Sequence, residues 1–339
     1  MGPSFLPRLV NGPFDDPALF VSFRYQNRAM LFDLGDIASL PARDILKITH
    51  IFISHTHMDH FVGFDRLLRI FLGRDKGLFL CGPQGFLANL EGKLAGYCWN
   101  LVENYENRFT LQAVELHPDR AIVQSYQCRD GFARDGNVRE MPFNGIVLAE
   151  PSVTVTAVHL DHGIPVLGFA LREQFHINIM KAPLERMGLA PGPWLNRFKA
   201  MLYRGADPGT PVAVPSPKNP GTDLTFALGE LKSAIARITP GQSLAYIADV
   251  AGTAENFNKI RNVAGGVDHL FVEAAFSHAH GEIAKRKRHL TARQAGELAR
   301  ACRVRQYSLF HYSPRYTDGP DMLEAEAEKA FGQQPSMHA

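Results

Sequence analysis

Ile51-Phe-Ile-Ser-His55-Thr-His57-Met-Asp59-His60 gathers His55, His57, Asp59 and His60, all able to bind a metal, in one short loop. The apolar, β-branched run Ile48, Ile51, Phe52 and Ile53 leads into it and predicts a buried strand. Phe61, Phe64, Leu67, Leu68 and Phe71 follow at helical spacing, so the loop joins a strand to a helix. In extended chain, residues i and i+2 share a side, so His55 and His57 can reach one ion together. Asp59 and His60 come after the turn and address a neighbouring position. Imidazole with carboxylate suits zinc or another first-row divalent cation, and the spacing suits a two-metal site.

The totals set the frame around this loop. The chain has 339 residues, long enough for a large core and, by length alone, about two domains. Hydrophobic residues at 45% and charged residues at 21% are ordinary for a globular protein. A net charge of +2 argues neither for nor against nucleic acid, so any basic surface must be local. Cys81, Cys98, Cys128 and Cys302 follow no metal or disulfide spacing and are expected as buried free thiols in a reducing compartment. The start, Met1-Gly-Pro-Ser-Phe-Leu-Pro-Arg8, lacks a basic-then-apolar signal, and no apolar run approaches membrane-spanning length. A soluble cytoplasmic protein with no membrane partner is the expectation.

Other strands also end in polar residues. Leu19 to Phe23 and Arg28 to Leu34 form two strands around the polar turn that starts at Tyr25, and the second closes in Asp33-Leu-Gly35-Asp36. After a strand at Leu78–Cys81, residues 86–103 predict a helix, and residues 109–160 several strands separated by turns. Val153 to Val158 delivers either His159 or His162 to a strand end, and spacing leaves that choice open. Residues 174–222 are rich in Pro, Gly and cations, including Lys181, Arg186, Arg197, Lys199, Arg204 and Lys218. Two amphipathic pieces there, 181–187 and 194–202, predict a small protruding structure. The later strands end in Asp249, Glu273 and His311; Thr291 is the expected N-cap of a helix to Ala301, and 322–331 a closing helix. Residues 332–339 are expected to be a disordered tail. Polar strand ends at Asp33, His57, His162, Asp249 and His311, separated by turns and helices, predict an α/β sandwich that collects ligands on one edge.

The His-x-His-x-Asp-His string is identified as the signature of the metallo-β-lactamase fold, an αβ/βα sandwich of two mixed β-sheets flanked by helices. Ser308-Leu-Phe-His311-Tyr-Ser-Pro-Arg315-Tyr316 closely resembles the last histidine motif of ribonuclease Z, the tRNA 3′-processing endonuclease. Leu160-Asp-His162 with Leu167-Gly-Phe169 resembles that family's third motif and favours His162. Glu273-Ala-Ala-Phe276 with His289-Leu-Thr291-Ala-Arg-Gln294-Ala295 resembles the stretch that carries its catalytic histidine. Leu184-Glu-Arg-Met-Gly-Leu-Ala-Pro-Gly192-Pro193 resembles part of the arm that grips the tRNA body.

The resemblance implies one domain over 1–331 with an arm inserted at about 174–222. It implies two zinc ions, with manganese or iron as substitutes: His55, His57 and His162 on one, Asp59, His60 and His311 on the other, and Asp249 bridging. Asp33 would support the metal loop from behind. Asp59 would orient or deprotonate the attacking water, and His289, kept protonated by Glu273, would protonate the departing ribose oxygen. Lys181, Arg186, Gly192, Pro193, Arg197, Lys199 and Arg315 would contact RNA, a tRNA precursor, in a homodimer. The chain departs from the family pattern at Leu9-Val-Asn-Gly-Pro-Phe-Asp-Asp-Pro, at Asp36-Ile-Ala-Ser, and at Ala248 and Val250 around Asp249. The competing readings are a hydrolase of a small phosphodiester or thioester, which has no use for a distant basic grip, and an inactive RNA-binding protein.

Overall fold

The structure, a computed structural model, describes residues 4–24, 26–217, 219 and 221–332. Tyr25 of the expected turn, Lys218 of the basic stretch and residues 333–339 of the expected tail lie outside these.

Two large mixed sheets form an αβ/βα sandwich. The first runs in chain order: Phe5–Leu9, Leu19–Phe23, Ala29–Phe32, Ile48–Phe52, Lys76–Pro83, Phe109–Leu116, Arg120–Gln127 and Arg139–Pro142. Its middle strands, from Ala29–Phe32 to Phe109–Leu116, pair in parallel, and its flanks are antiparallel. The second has the order Gln306–Phe310, His269–Glu273, Ser243–Ile247, Pro165–Glu173, Val153–Asp161 and Ile146–Ala149, with its first three parallel. Parallel strands buried on both faces need near-continuous apolar sequence, and Ala29–Phe32 and Leu244–Ile247 supply it. Between the sheets Phe32 stacks on Phe52 and meets Phe169 and Tyr246, while Tyr246 stacks on Phe310.

Helices cover both outer faces. Phe64–Phe71 and Phe86–Ala95 bury Phe64, Leu67, Leu68, Phe71, Phe86 and Leu90 in one core. Ala254–Ala264, Ala292–Ala301 and Asp321–Gly332 bury Ile260, Ala295, Leu298 and Leu323 in the other. Thr291 caps its helix as expected and forms a full capping box with Gln294. Two expectations are corrected. The helix predicted over 86–103 stops at Ala95, where Gly96 N–H bonds back only three residues to Lys93 O and the four-residue ladder ends. The chain from Gly96 then runs along the surface, which leaves Cys98 exposed; only Cys81, Cys128 and Cys302 are buried.

Contacts divide the chain into two compact units. The larger contains Phe5–Val147, Thr156–Ala170 and the chain from Leu244. The smaller contains Ser4, Leu148–Val155 and Leu171–Ser243, a span that includes residues 174–222 and extends past them. It has its own apolar core of Leu184, Leu189, Trp194, Phe198, Val212, Val214, Leu228, Leu231 and Ile235. Helices Lys181–Arg186 and Trp194–Tyr203 and two strand pairs, Phe175–Ile179 with Ala236–Pro240 and Pro211–Pro215 with Asp223–Ala227, surround that core. Among the described residues no helix is long and apolar enough to cross a membrane.

Candidate metal centre

Every side chain of the centre hangs from the carboxyl end of a strand, where open α/β sheets collect ligands. Asp33 follows Ala29–Phe32, the His55–His60 loop follows Ile48–Phe52, His162 follows Val153–Asp161, Asp249 follows Ser243–Ile247, and His311 follows Gln306–Phe310. Asp33, Asp249 and His311 all have left-handed backbones, with φ of 57°, 41° and 61°. That conformation is unfavourable for residues other than glycine, and it turns the chain sharply at each strand end. The His57–Phe61 turn lies directly on the end of the Asp33 strand: Leu34 N–H bonds to His60 O, and Gly63 N–H to Leu34 O, both at 2.9 Å. A Cβ on Gly63 would come within 2.2 Å of Gly35 O, so this close approach requires glycine.

Three overlapping sets of nitrogen and carboxylate oxygen atoms lie within 4.8 Å of one another: His55, His57, His162 and Asp249; Asp59, His60 and His311; and Asp249, Glu273, His289 and His311. Asp249 divides its oxygens between the first two. Its Oδ2 faces His55 Nε2 at 3.7 Å and His162 Nε2 at 3.6 Å. Its Oδ1 faces His60 Nε2 at 3.5 Å and His311 Nδ1 at 2.9 Å. Asp59 Oδ2 lies 3.1 Å from His311 Nε2 and 3.4 Å from His60 Nε2.

The far nitrogens of these rings are committed elsewhere. Asp33, fully buried, accepts from Ser54 N at 2.6 Å, Ser54 Oγ at 2.8 Å, His60 Nδ1 at 2.8 Å and Tyr246 Oη at 2.9 Å. Because Ser54 Oγ spends its proton on Asp33, His55 Nδ1 donates to Ser54 Oγ at 3.0 Å. His162 Nδ1 donates to Arg288 O at 2.8 Å. When His55, His60 and His162 are neutral, each therefore turns the lone pair of Nε2 toward the cluster, the arrangement of imidazoles in metal sites.

Two further observations test whether cations fit. His55 Nε2, His60 Nε2, Asp249 Oδ1 and His311 Nδ1 are buried and make no aligned hydrogen bond, which costs about 1–3 kcal/mol per group unless something else satisfies them. The charge balance points the same way. Burial, then the neighbouring His60, push His55 down to about 2. Burial also opposes charge on His60 and His311, yet Asp249 outweighs it, raising His60 well above the imidazole range and His311 to about 10. Burial would raise Asp249, but His311 and His60 hold it well below the carboxylate range; hydrogen bonds from the same two residues do so for Asp59. A pocket that raises imidazole basicity this way favours cations in general, and its donors suit one or two divalent ions.

The remaining expected residues fall in separate places. His289 Nδ1 donates to Glu273 Oε2 at 2.8 Å, and Glu273 Oε1 accepts from Val250 N at 2.6 Å. Burial lowers His289, but the Glu273 carboxylate more than compensates and leaves it raised. Its ring lies 4.8 Å from that of His162 and 5.5 Å from that of His311. His159, which spacing could not separate from His162, instead meets Leu116 O at 3.1 Å. Lys181, Arg186, Arg197 and Arg204 are exposed on the smaller unit, whereas Lys199 is half-buried, its amine lowered by burial against the opposing pull of Glu173. Gly192 and Pro193 precede the helix that starts at Trp194, and Arg315 is exposed beside Ser313. Sequence reasoning passed over Ser54, inside the opening loop motif, and Tyr246, three residues before Asp249; only the fold reveals them as partners of Asp33.

No model of a known protein family matches the chain. It is 31% identical to the ribonuclease Z of Deinococcus radiodurans over 326 residues, 94% of this chain and 93% of that protein. Among solved structures it resembles the metallo-β-lactamase fold protein YhfI from Bacillus subtilis, with a TM-score of 0.54, 14% identity and 96% and 93% of the two chains covered. It also resembles human tRNase Z, short form, with a TM-score of 0.51, 18% identity and 92% and 93% coverage. At these identities the structural likenesses show the fold alone.

Proposed function

Because this chain belongs to the ribonuclease Z family of the metallo-β-lactamase superfamily, we propose that it is a metal-dependent endoribonuclease that cuts an RNA phosphodiester, the 3′ trailer of a tRNA precursor. The observation that carries this reading is the Glu273–His289 pair at 2.8 Å beside the His/Asp cluster. A metal cluster alone serves many hydrolases. A half-buried imidazole biased toward its protonated form by a carboxylate suits a leaving group too basic to depart unaided, as a ribose 3′-oxygen is.

His55, His57 and His162 would hold one cation, Asp59, His60 and His311 the other, with Asp249 bridging; zinc suits the donors best. When bound, two such cations supply a water acidic enough to serve as hydroxide near neutral pH and offset charge on the phosphoryl oxygens. Asp59, which lies 3.1 Å from His311 Nε2, would orient the attacking water or take its proton. His289 donates its proton to the departing 3′-oxygen, and Glu273 fixes the ring and favours reprotonation. Asp33 holds His60 and, through Ser54, His55 in the tautomers the site needs. Lys181, Arg186, Arg197 and Arg204, with Arg315, Gly192 and Pro193, are proposed to contact the RNA outside the cleavage point; the burial of Lys199 makes it the weakest member of that set.

The test is to incubate zinc-loaded protein with a 3′-extended tRNA precursor and with bis(nitrophenyl) phosphate. Cleavage of the precursor at a single position is the expected result. Turnover of the dye ester with the precursor left intact would instead favour a small-diester hydrolase on the same centre.

A further inference from the structure

A cavity of about 450 Å³ is lined in part by His289, and none of the seven residues proposed to hold the cations lines it. One wall is the loop Ala251-Gly252-Thr253; the other is formed by His278, Gly281, Lys285, Arg288, Thr291 and Gln294, with Asp161 at the rim. The basic run Lys285-Arg-Lys-Arg288 is exposed at all four positions. Their positions nonetheless differ. Lys287 lies over the Phe276 ring, 6.0 Å from its centroid, whereas Lys285 and Arg288 line the cavity.

Donors dominate the lining. Lys285 has no carboxylate within ion-pair distance among the described residues, and it is exposed. The Arg288 guanidinium lies 3.4 Å from the Asp161 carboxylate, but both are more than half exposed, and exposed pairs of that kind contribute little. An arriving anion can take Arg288 from Asp161 with small loss. The capping box sets a third donor: Gln294 Oε1 accepts from Thr291 N at 3.0 Å, so its amide Nε2 keeps both hydrogens. That Nε2 lies against Gly252, where a Cβ would come within 2.6 Å of it. Thr253 Oγ and Thr291 Oγ are engaged as helix caps. Two cations and a fixed amide donor, against one rim carboxylate, make a pocket for an anion.

Its place beside the metal centre narrows the anion. His289 lines this cavity and also belongs to the set with Asp249, Glu273 and His311. The same segment fixes a proposed ligand, since Arg288 O holds His162 Nδ1. Resting on the reading of His289 as proton donor to a ribose 3′-oxygen, we propose that this cavity receives the nucleotide that departs, with Lys285 and Arg288 binding its 5′-phosphate. The subsite thus reads the phosphate next to the scissile one, on the leaving side. A substrate with no such neighbouring phosphate gains nothing from it.

The departing nucleotide is mimicked by adenosine 5′-monophosphate, which has a free 3′-hydroxyl and the one phosphate in question. Calorimetric titration of the zinc-loaded protein is expected to show it binding at least about tenfold more tightly than adenosine, a preference that Lys285→Glu removes and that added salt weakens. Lys285→Arg should restore binding. Lys287→Glu makes the same charge change outside the cavity and should keep the preference. Inorganic phosphate, which can reach the metals without filling the cavity, should lose little in Lys285→Glu. Nucleotide binding that survives Lys285→Glu would belong to the metals alone and overturn the proposal. So would an equal loss in Lys287→Glu, or a loss for inorganic phosphate as large as for the nucleotide. The binding assay needs no turnover: an intact tRNA precursor with the nucleotide preference present refutes only the RNA reading, and a cut precursor with the preference absent refutes only the subsite.

Discussion

Around Asp249 the polar atoms are crowded: its two oxygens face His55, His162, His60 and His311, and Ser54, Arg288 O and Asp33 hold the far nitrogens of His55, His162 and His60. Along residues 181–204 the cations of the smaller unit stand singly in solvent at Lys181, Arg186, Arg197 and Arg204. The first region is interlocked and largely buried at His55, His60, His162 and Asp249, so one deletion strands several partners in low dielectric. The second is additive and screened, so one deletion removes one contact. The two regions should therefore respond to mutation on different scales.

The largest break should come from Asp249→Ala, which exposes four imidazoles to the loss of their shared carboxylate. Bound metal measured by elemental analysis should fall below two ions per chain, and hydrolysis should drop by more than the roughly 100- to 1,000-fold typical of losing one stabilising group. Two tightly held ions in this variant would remove Asp249 from the bridge. His289→Ala comes next: RNA cleavage should fall by about two to four powers of ten, while a nitrophenyl diester, whose leaving group departs unprotonated, should be cut at nearly the original rate. Equal losses on both substrates would leave the proton donor unassigned. Asp33→Ala should weaken metal affinity by about 10- to 100-fold and destabilise the fold by about 3 kcal/mol, because Ser54, His60 and Tyr246 lose a buried acceptor. Metal titration and denaturant melts would separate those two effects. The smallest change belongs to the cationic segment. Arg186→Glu with Arg197→Glu should weaken binding of folded RNA mainly at low salt and lower the salt slope by about two, with the small diester unaffected. Deleting the segment would be a poorer experiment, since Trp194 and Phe198 belong to the smaller unit's core.

The same contrast governs what could be read in advance. The His55–His60 loop was legible because metal chemistry needs particular residue types at fixed spacing and strand geometry delivers them. Asp249, Glu273 and His311 were legible as polar ends of apolar strands, an arrangement with little other purpose. His162 was separated from His159 only by a family motif, since alternation delivers both near a strand end; the carbonyl of Arg288, distant in sequence, holds the one that faces the cluster. At Val250, where the chain departs from the family pattern, the side chain joins the apolar core and the N–H serves Glu273. The helix expected to reach 103 ended early because periodicity does not mark where the four-residue ladder ends. The cations of 181–204 announced a basic surface but not which member would be half-buried, and Lys199 is the result.

The left-handed turns at Asp249 and His311 have a consequence for variation. Holding a residue other than glycine in that conformation costs about 1–3 kcal/mol, and glycine escapes most of it. Asp249→Gly and His311→Gly should therefore accumulate in cells at least as well as the corresponding alanine variants. A screen scored by protein abundance would rank glycine favourably at both positions, and a screen scored by catalysis would reject it. Sites where those two rankings diverge would mark the centre without any knowledge of its metals.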